Sequence, residues 1–244
     1  MNVISACNQK GGVGKTTTVR NLARAASQGG RRVLVIDADP QGNLTSALGV
    51  QDMPEDVAGV ADALSQRSPQ TLTDVIVPTI WEGVDLAPTS GDTLEAVRDE
   101  LVIAGPGREA RLRGQIHALG ERYDLVLIDT RPSLDQLTIN ALVASDGVLI
   151  ITNPELFAIN GIEKLNRTII TVREHYNPNL TLVGVLINHH ESAATIQSRH
   201  WVEEIDESGL PVLAPAIPRH TWISRATATQ EALDELGTDG QAVA

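Results

Sequence analysis

Apolar positions along this chain fall into two kinds of pattern. The first is the short continuous run: Val3-Ile4-Ser5-Ala6-Cys7, Val33-Leu34-Val35-Ile36, Leu125-Val126-Leu127-Ile128, Val148-Leu149-Ile150-Ile151 and Leu182-Val183-Gly184-Val185-Leu186-Ile187. Runs of this length between turn residues predict strands buried on both faces of a parallel sheet. Shorter runs at 81–88 and at Pro211-Val212-Leu213, with 216–219 as its exit, predict two more strands. The second pattern is helical spacing. It covers 19–26, then 92–103 with Leu94, Val97 and Leu101 on one side, 108–119 and 138–144. It continues over 159–176, with Ile162, Leu165, Ile169 and Val172 aligned, and over 196–208. Spans 56–64 and 71–75 read as short helices or loops. Strands alternating with helices predict an α/β fold: a twisted, mostly parallel sheet with helices on both faces.

Composition narrows this further. A chain of 244 residues with 42% hydrophobic content fills one α/β domain over 1–244, with 229–244 as an acidic, frayed C-terminal tail. Aromatics are 2%, so the core must be Val, Leu, Ile and Ala. The single cysteine, Cys7, excludes a disulfide within the chain and a four-cysteine metal site; it reads as a small buried apolar residue. No stretch approaches the ~18 apolar residues of a membrane span, and the N-terminus lacks a signal-peptide pattern. The expectation is a cytoplasmic protein without membrane contact. A net charge of −12 argues against constitutive nucleic-acid binding, so any DNA contact must come from a local basic patch.

The densest chemistry lies at 8–18, Asn-Gln-Lys-Gly-Gly-Val-Gly-Lys-Thr-Thr-Thr, between the first strand and the first helix. Gly11, Gly12 and Gly14 let the backbone turn its N–H groups inward toward phosphate oxygens. The helix starting near Lys15 adds its positive end. Lys15 supplies a point charge to β/γ-phosphates and Thr16 a hydroxyl ligand to Mg²⁺. A strict phosphate loop has Gly where this chain has Gln9. Two of the chain's three lysines, Lys10 and Lys15, stand here; the third is Lys164. Two further acidic strings end buried strands: Asp37-Ala38-Asp39-Pro40-Gln41-Gly42-Asn43, and the aliphatic run closing on Asp129. Carboxylates at the carboxyl edge of such a sheet face its ligand side. Asp129 suits Mg²⁺ held near Thr16.

The string Lys10-Gly-Gly-Val-Gly-Lys15-Thr-Thr resembles the deviant Walker A box of the ParA/MinD family of P-loop ATPases. The Asp-x-Asp-Pro-Gln-Gly-Asn string resembles that family's switch I, and 123–130 its Walker B strand. The resemblance covers roughly 1–226. It implies ATP and Mg²⁺ as cofactors, with nucleotide contacts from Gly11, Gly12, Val13, Gly14, Lys15, Thr16 and Thr17. It implies that Thr16, Asp39 and Asp129 serve the metal, and that Asp39 helps place the attacking water. It implies that Lys10 reaches the phosphates of a second subunit in an ATP-bound homodimer. Asn188, ending a strand, matches the position that reads the adenine edge, although an Asn there also suits a turn. Pro218 and Arg219 match the base pocket. The implied role is ParA-like partitioning of a plasmid or chromosome, with nonspecific double-stranded DNA and a ParB-like stimulating partner, in a nucleoid-associated state. The DNA-contact candidates are Arg173, Arg199 and Arg225. The alternative is an ATPase that positions a protein cargo or acts at a membrane.

Several features stand apart from that pattern. Arg131 occupies the first of two positions where the family has prolines; it reads as a phosphate-facing charge or a surface arginine. Arg108, Arg111 and Arg113 read as a solvated helix face or a partner contact. His189, His190 and His200 lack a recurring ligand spacing. Trp222 stands where ParA-like chains often carry a basic residue. The C-terminal segment is acidic, whereas a MinD-like membrane helix is basic. An iron–sulfur carrier of this fold needs two interface cysteines, and only Cys7 exists. No substrate pocket for a metabolic ligase is legible.

Overall fold

The computed structural model describes residues 1–50, 57–156, 158–189 and 196–237, and of 196–199 the backbone alone. The strands are β1 (Asn2–Cys7), β2 (Val33–Ala38), β3 (Val77–Pro78), β4 (Val84–Ala87), β5 (Leu125–Thr130), β6 (Gly147–Thr152), β7 (Thr181–Ile187) and β8 (Val212–Leu213). The helices are α1 (Lys15–Gln28), α2 (Asn43–Ala47), α3 (Val60–Leu64), α4 (Leu72–Val75), α5 (Thr93–Ile103), α6 (Arg111–Ala118), α7 (Gln136–Ala144), α8 (Ala158–His175), α9 (Ile196–Glu207) and α10 (Thr221–Thr229). A 3₁₀ turn, Arg108–Ala110, leads into α6, so the expected helix over 108–119 is two pieces. Of the expected 56–64 helix, 60–64 forms; Asp56 lies outside the described residues.

The strands form one sheet in the order β3-β4-β2-β5-β1-β6-β7-β8, parallel except for β3. The continuous apolar runs have a direct physical reason. Successive side chains point to opposite faces, and here both faces are covered. On β2, Leu34 and Ile36 enter the core beneath α3–α7, while Val33 and Val35 enter the core beneath α1. β6 divides likewise: Leu149 and Ile151 face α1, and Val148 and Ile150 face α8. Cys7 is buried in this last cluster, and burial pushes its thiol up to about 12.

β1 lies centrally, between β5 and β6. The chain leaves β1 toward β2 on one side and returns from β5 to β6 on the other. Such a reversal opens a crevice at the carboxyl ends of the strands. Among the described residues, no helix is long and apolar enough to cross a membrane.

Residues 231–235, part of the segment expected as a frayed tail, pack against α1. Ala232 and Leu233 are buried. Arg20, buried on α1, donates to Glu231 O at 2.9 Å and to Ala47 O at 3.0 Å, with its guanidinium 4.5 Å from the Trp81 ring. Arg24 pairs with Asp234 at 3.0 Å and Glu235 at 2.7 Å. Part of the acidic composition of this segment is thereby matched to cations on α1.

Candidate functional site

β1 delivers the chain to the crevice at Cys7, and Asn8 sets its exit. Asn8 Nδ2 donates to Ile151 O at 2.6 Å, and Asn8 Oδ1 accepts from Lys10 N at 2.9 Å. Gly12 (φ 74°) and Gly14 (φ 89°) then take left-handed conformations that reverse the chain. Gln9 is not among the positive-φ residues, so its side chain is tolerated where a strict phosphate loop has glycine. α1 starts at Lys15 with no side-chain cap, which leaves its first N–H groups facing the loop. Loop and helix end together form an anion cradle.

Asn188 follows β7 and is buried; its Nδ2 donates to Val13 O at 2.7 Å. In this arrangement its amide donor braces the loop. Pro218 and Arg219 follow a bond from Ile217 N to Ile187 O (2.8 Å), at the same end of β7. Both are exposed.

Lys15 and Thr16 point back over the sheet edge. Lys15 is 7% exposed, with Nζ 3.5 Å from Lys10 O. Burial lowers its pKa, while Asp129 and Asp39 oppose that shift. Thr16 Oγ1 donates to Asp129 Oδ2 at 2.6 Å, and Asp129 Oδ1 is buried with no partner among the described residues. Asp129 is 1% exposed. Burial and the nearby Asp37 raise its pKa, against the Thr16 hydroxyl and Lys15. A hydroxyl beside a buried carboxylate with an unused oxygen fits Mg²⁺, which takes one or two protein oxygens plus phosphate and water. Among the described residues no three His, Cys, Asp or Glu side chains are grouped to hold a metal, and a site of this kind needs no such group. His189 is exposed with φ 54°, the His200 ring lies 5.1 Å from that of Trp201 at a tilt of 49°, and His190 lies outside the described residues.

Asp39 lies in the turn after β2, 8% exposed, with Oδ1 accepting from Gln41 N at 3.1 Å. Asp37 anchors it, a role that sequence reasoning missed. Its fully buried carboxylate accepts from Thr45 N (2.8 Å), Thr45 Oγ1 (2.6 Å) and Asp39 N (3.3 Å). Thr89 Oγ1 donates to Asp37 O at 2.6 Å, and Thr89 N donates to Thr45 Oγ1. Burial pushes the Asp37 carboxyl up to about 6 despite these bonds. A polar cavity of about 360 Å³ opens beside this turn, lined by residues such as Gln41, Thr45, Ser90 and Asp92.

Lys10 is half exposed and paired with Glu155 of its own chain, which Asn153 Nδ2 also contacts at 3.3 Å. Arg131 is neither phosphate-facing nor a solvated surface arginine. It lies 3.1 Å from both Glu95 and Asp135. The arginines at 108, 111 and 113 brace backbone: Arg108 donates to Val102 O, Arg111 to Leu64 O and Arg113 to Tyr176 O. Arg173 and Arg225 are not brought together. Arg173 donates to Leu180 O at the amino edge of the sheet. Arg225 stacks 4.8 Å over Trp222 on α10, whose flanks are tied to the carboxyl edge by Ile217 and Gln230. Arg199 lies on α9, its side chain outside the described residues.

The sequence matches the family model described as an AAA domain over residues 1–182. Uncharacterized protein Rv1708 of Mycobacterium tuberculosis H37Rv is 40% identical over 84% of this chain. The match spans 63% of that relative's length, so this chain covers less than two thirds of it. The sporulation initiation inhibitor protein Soj of Bacillus subtilis is 37% identical over 92% of this chain and 87% of its own. The chromosome partitioning protein ParA of Myxococcus xanthus is 39% identical over 83% of this chain and 70% of its own. Among solved structures, cobyrinic acid a,c-diamide synthase from Mycobacterium smegmatis with bound ADP and magnesium superposes with a TM-score of 0.82 and 37% identity, covering 90% of this chain and 87% of that one. A putative plasmid partition protein from Borrelia burgdorferi bound to AMPPNP gives a TM-score of 0.80 at 25% identity, covering 98% and 93%.

Proposed function

Because the chain belongs to the AAA-domain family that includes the ParA and Soj proteins, we propose that it is an ATP-hydrolysing partition protein for a plasmid or chromosome. The observation that carries the reading is the Thr16–Asp129 pair beside buried Lys15 at the start of α1. Loop N–H groups from Gly11 to Thr17 and the Lys15 ammonium hold the β- and γ-phosphates of ATP. Thr16 and Asp129 hold Mg²⁺, which when bound offsets charge on the phosphate oxygens. Asp39, fixed by Asp37 and Gln41, orients a water against the γ-phosphorus. The new P–O bond forms as the bond to the ADP oxygen breaks. Asn188, Pro218 and Arg219 flank the base.

Lys10 exchanges Glu155 for the phosphates of a second copy, making an ATP-bound homodimer. An exposed ion pair is worth at most about 1 kcal/mol, so this exchange is inexpensive. The dimer holds double-stranded DNA without reading sequence, through basic residues among which Arg225, Arg199 and Arg173 are the candidates. A ParB-like partner accelerates hydrolysis, which separates the dimer. Residues 1–244 act as one unit in this cycle, in the cytoplasm and on the nucleoid.

Binding of a fluorescent ATP analogue, with Mg²⁺ and with EDTA, tests the phosphate site. Lys15→Ala should weaken binding about 10–100-fold, the value of a charge-assisted contact. Asp129→Asn should remove most of the Mg²⁺ dependence and bring phosphate release to background. Tight binding unchanged in both variants would contradict the reading. One observation favours a second reading, the synthase name of the similar structure. An amide-forming synthase turns over ATP in proportion to an acid acceptor and an amine donor. Turnover that rises with DNA and a DNA-bound partner, without either reagent, separates the two.

A further inference from the structure

Arg131 stands two residues beyond Asp129, where β5 has just ended. Its Nη1 lies 3.1 Å from Glu95 Oε1 and 3.1 Å from Asp135 Oδ2. The side chain is 21% exposed, so the pairs are partly shielded from water and bind more firmly than open surface pairs. Asp135 uses its other oxygen to cap α7, accepting from Leu137 N and Thr138 N. Glu95 also pairs with Arg98 at 2.6 Å. Arg98 pairs in turn with Asp99 at 2.7 Å, so three acids meet two arginines and the Arg131 charge is committed to carboxylates.

The other end of this contact matters as much. Glu95 sits in the first turn of α5. The segment just before α5 contains Thr89, which bonds Asp37 and Thr45 and so fixes the turn carrying Asp39. From α7, Thr138 Oγ1 donates to Ser133 O at 2.8 Å and Asn140 Nδ2 to Gln136 O at 2.9 Å, so the far half of the 131–136 loop is held by α7 and Arg131 supplies its tie to α5. We propose that Arg131 is a positioning residue for hydrolysis: the β2–β5 ladder ends at Ala38 and Thr130, and beyond it Arg131 ties the loop after β5 to α5, holding the Asp39 turn in place against Asp129. This rests on the reading of the site as an ATP hydrolase. Arg131 touches no phosphate in this account, so it acts on the catalytic step and leaves nucleotide affinity alone. Misplacement of a reacting group by about 1 Å costs up to about a hundredfold in rate.

The test is a double-mutant cycle on the full chain with Arg131→Gln, Glu95→Gln and the double variant, each assayed for kcat and for Kd of a nonhydrolysable ATP analogue. Arg131→Lys is the conservative control. Each single variant should lower kcat about tenfold and leave Kd within twofold. The double variant should lose no more than the worse single, because both cut the same link. Arg131→Lys, keeping a cation for Glu95, should retain more activity than Arg131→Gln. Unchanged kcat, losses that multiply in the double variant, or a Kd that weakens in step with kcat would each overturn the proposal. Glu95 is a third exposed on a helix surface, so Glu95→Gln keeps the test informative if Arg131→Gln folds poorly. A wild-type protein that turns over no ATP would instead overturn the reading beneath it, before any variant is compared.

Discussion

A methyl group at Gly14 would meet two obstacles at once. The backbone there has φ 89°, which costs an L-residue about 1–2 kcal/mol, and an added Cβ would lie 2.1 Å from Asn188 Nδ2. Gly14→Ala should therefore abolish binding of the ATP analogue while Asn188→Ala in the same chain restores part of it; no restoration would show that the clash is not the cause. Thr45→Val tests the Asp37 anchor. It removes a hydroxyl that both donates to Asp37 and accepts from Thr89, and should cost about 1–3 kcal/mol in urea unfolding. Glu100 tests electrostatics away from the site. Burial alone would raise its pKa, but Gln66 N, Ser65 Oγ and Arg111 outweigh that and hold it at about 2. A depressed carboxyl stabilises the fold above its unfolded pKa of about 4.3 and loses that contribution as pH falls toward 2. The Tm deficit of Glu100→Gln should thus be several degrees at pH 7 and shrink below pH 4; a deficit constant with pH would refute this. Lys15, Thr16 and Asp129 were legible in the sequence because their chemistry sits in contiguous strings. Asp37 was legible only as an acid, since its partners come from 8 and 52 residues away. Arg131 misled for the same reason: Glu95 is 36 positions distant.

At the scale of elements, the phosphate-loop helix is held by parts of the chain far from it. Arg20 on α1 joins the end of α2, the Trp81 ring and the segment after α10. Trp81 is 5% exposed in the core beneath α1. Trp81→Ala should cost about 3–5 kcal/mol, which is about 6–20 °C in Tm at this chain length. A loss under 1 °C would show that the ring is not needed there. The buried strands were the most legible elements, because an apolar run with both faces covered has one structural solution. β6, Gly147–Thr152, encloses the apolar run 148–151 with one residue added at each end. α2 has five residues, too few for a helical period, and depends on Asp37 for its place. α10 buries only Ala226 among its residues, so it carries no apolar stripe to detect. β3 is a two-residue antiparallel edge whose second residue is Pro78, a pairing set by β4 and not by local pattern.

For the whole molecule, charge sets the hardest constraint on the proposed role. A net charge of −12 repels DNA at long range, so an attractive surface must be local and, in this account, completed by a second copy. Many arginines are already committed: Arg24, Arg32, Arg98, Arg111 and Arg131 all pair with carboxylates. Arg225 stacks on Trp222 and remains exposed. Arg225→Glu should weaken ATP-dependent DNA retention at least tenfold at low salt with analogue binding unchanged; equal retention would remove Arg225 from the interface. The overall α/β class was legible from alternating periods, whereas the basic surface was not, since it depends on which arginines tertiary contacts consume. The most direct measurement is retention of the protein on nonspecific duplex DNA across a salt series, with no nucleotide, with ADP and with ATP, beside a Lys10→Ala control. A DNA-holding, ATP-bound dimer is retained with ATP alone, with retention falling steeply with salt and lost in Lys10→Ala. Retention independent of nucleotide, or none in any state, would contradict it.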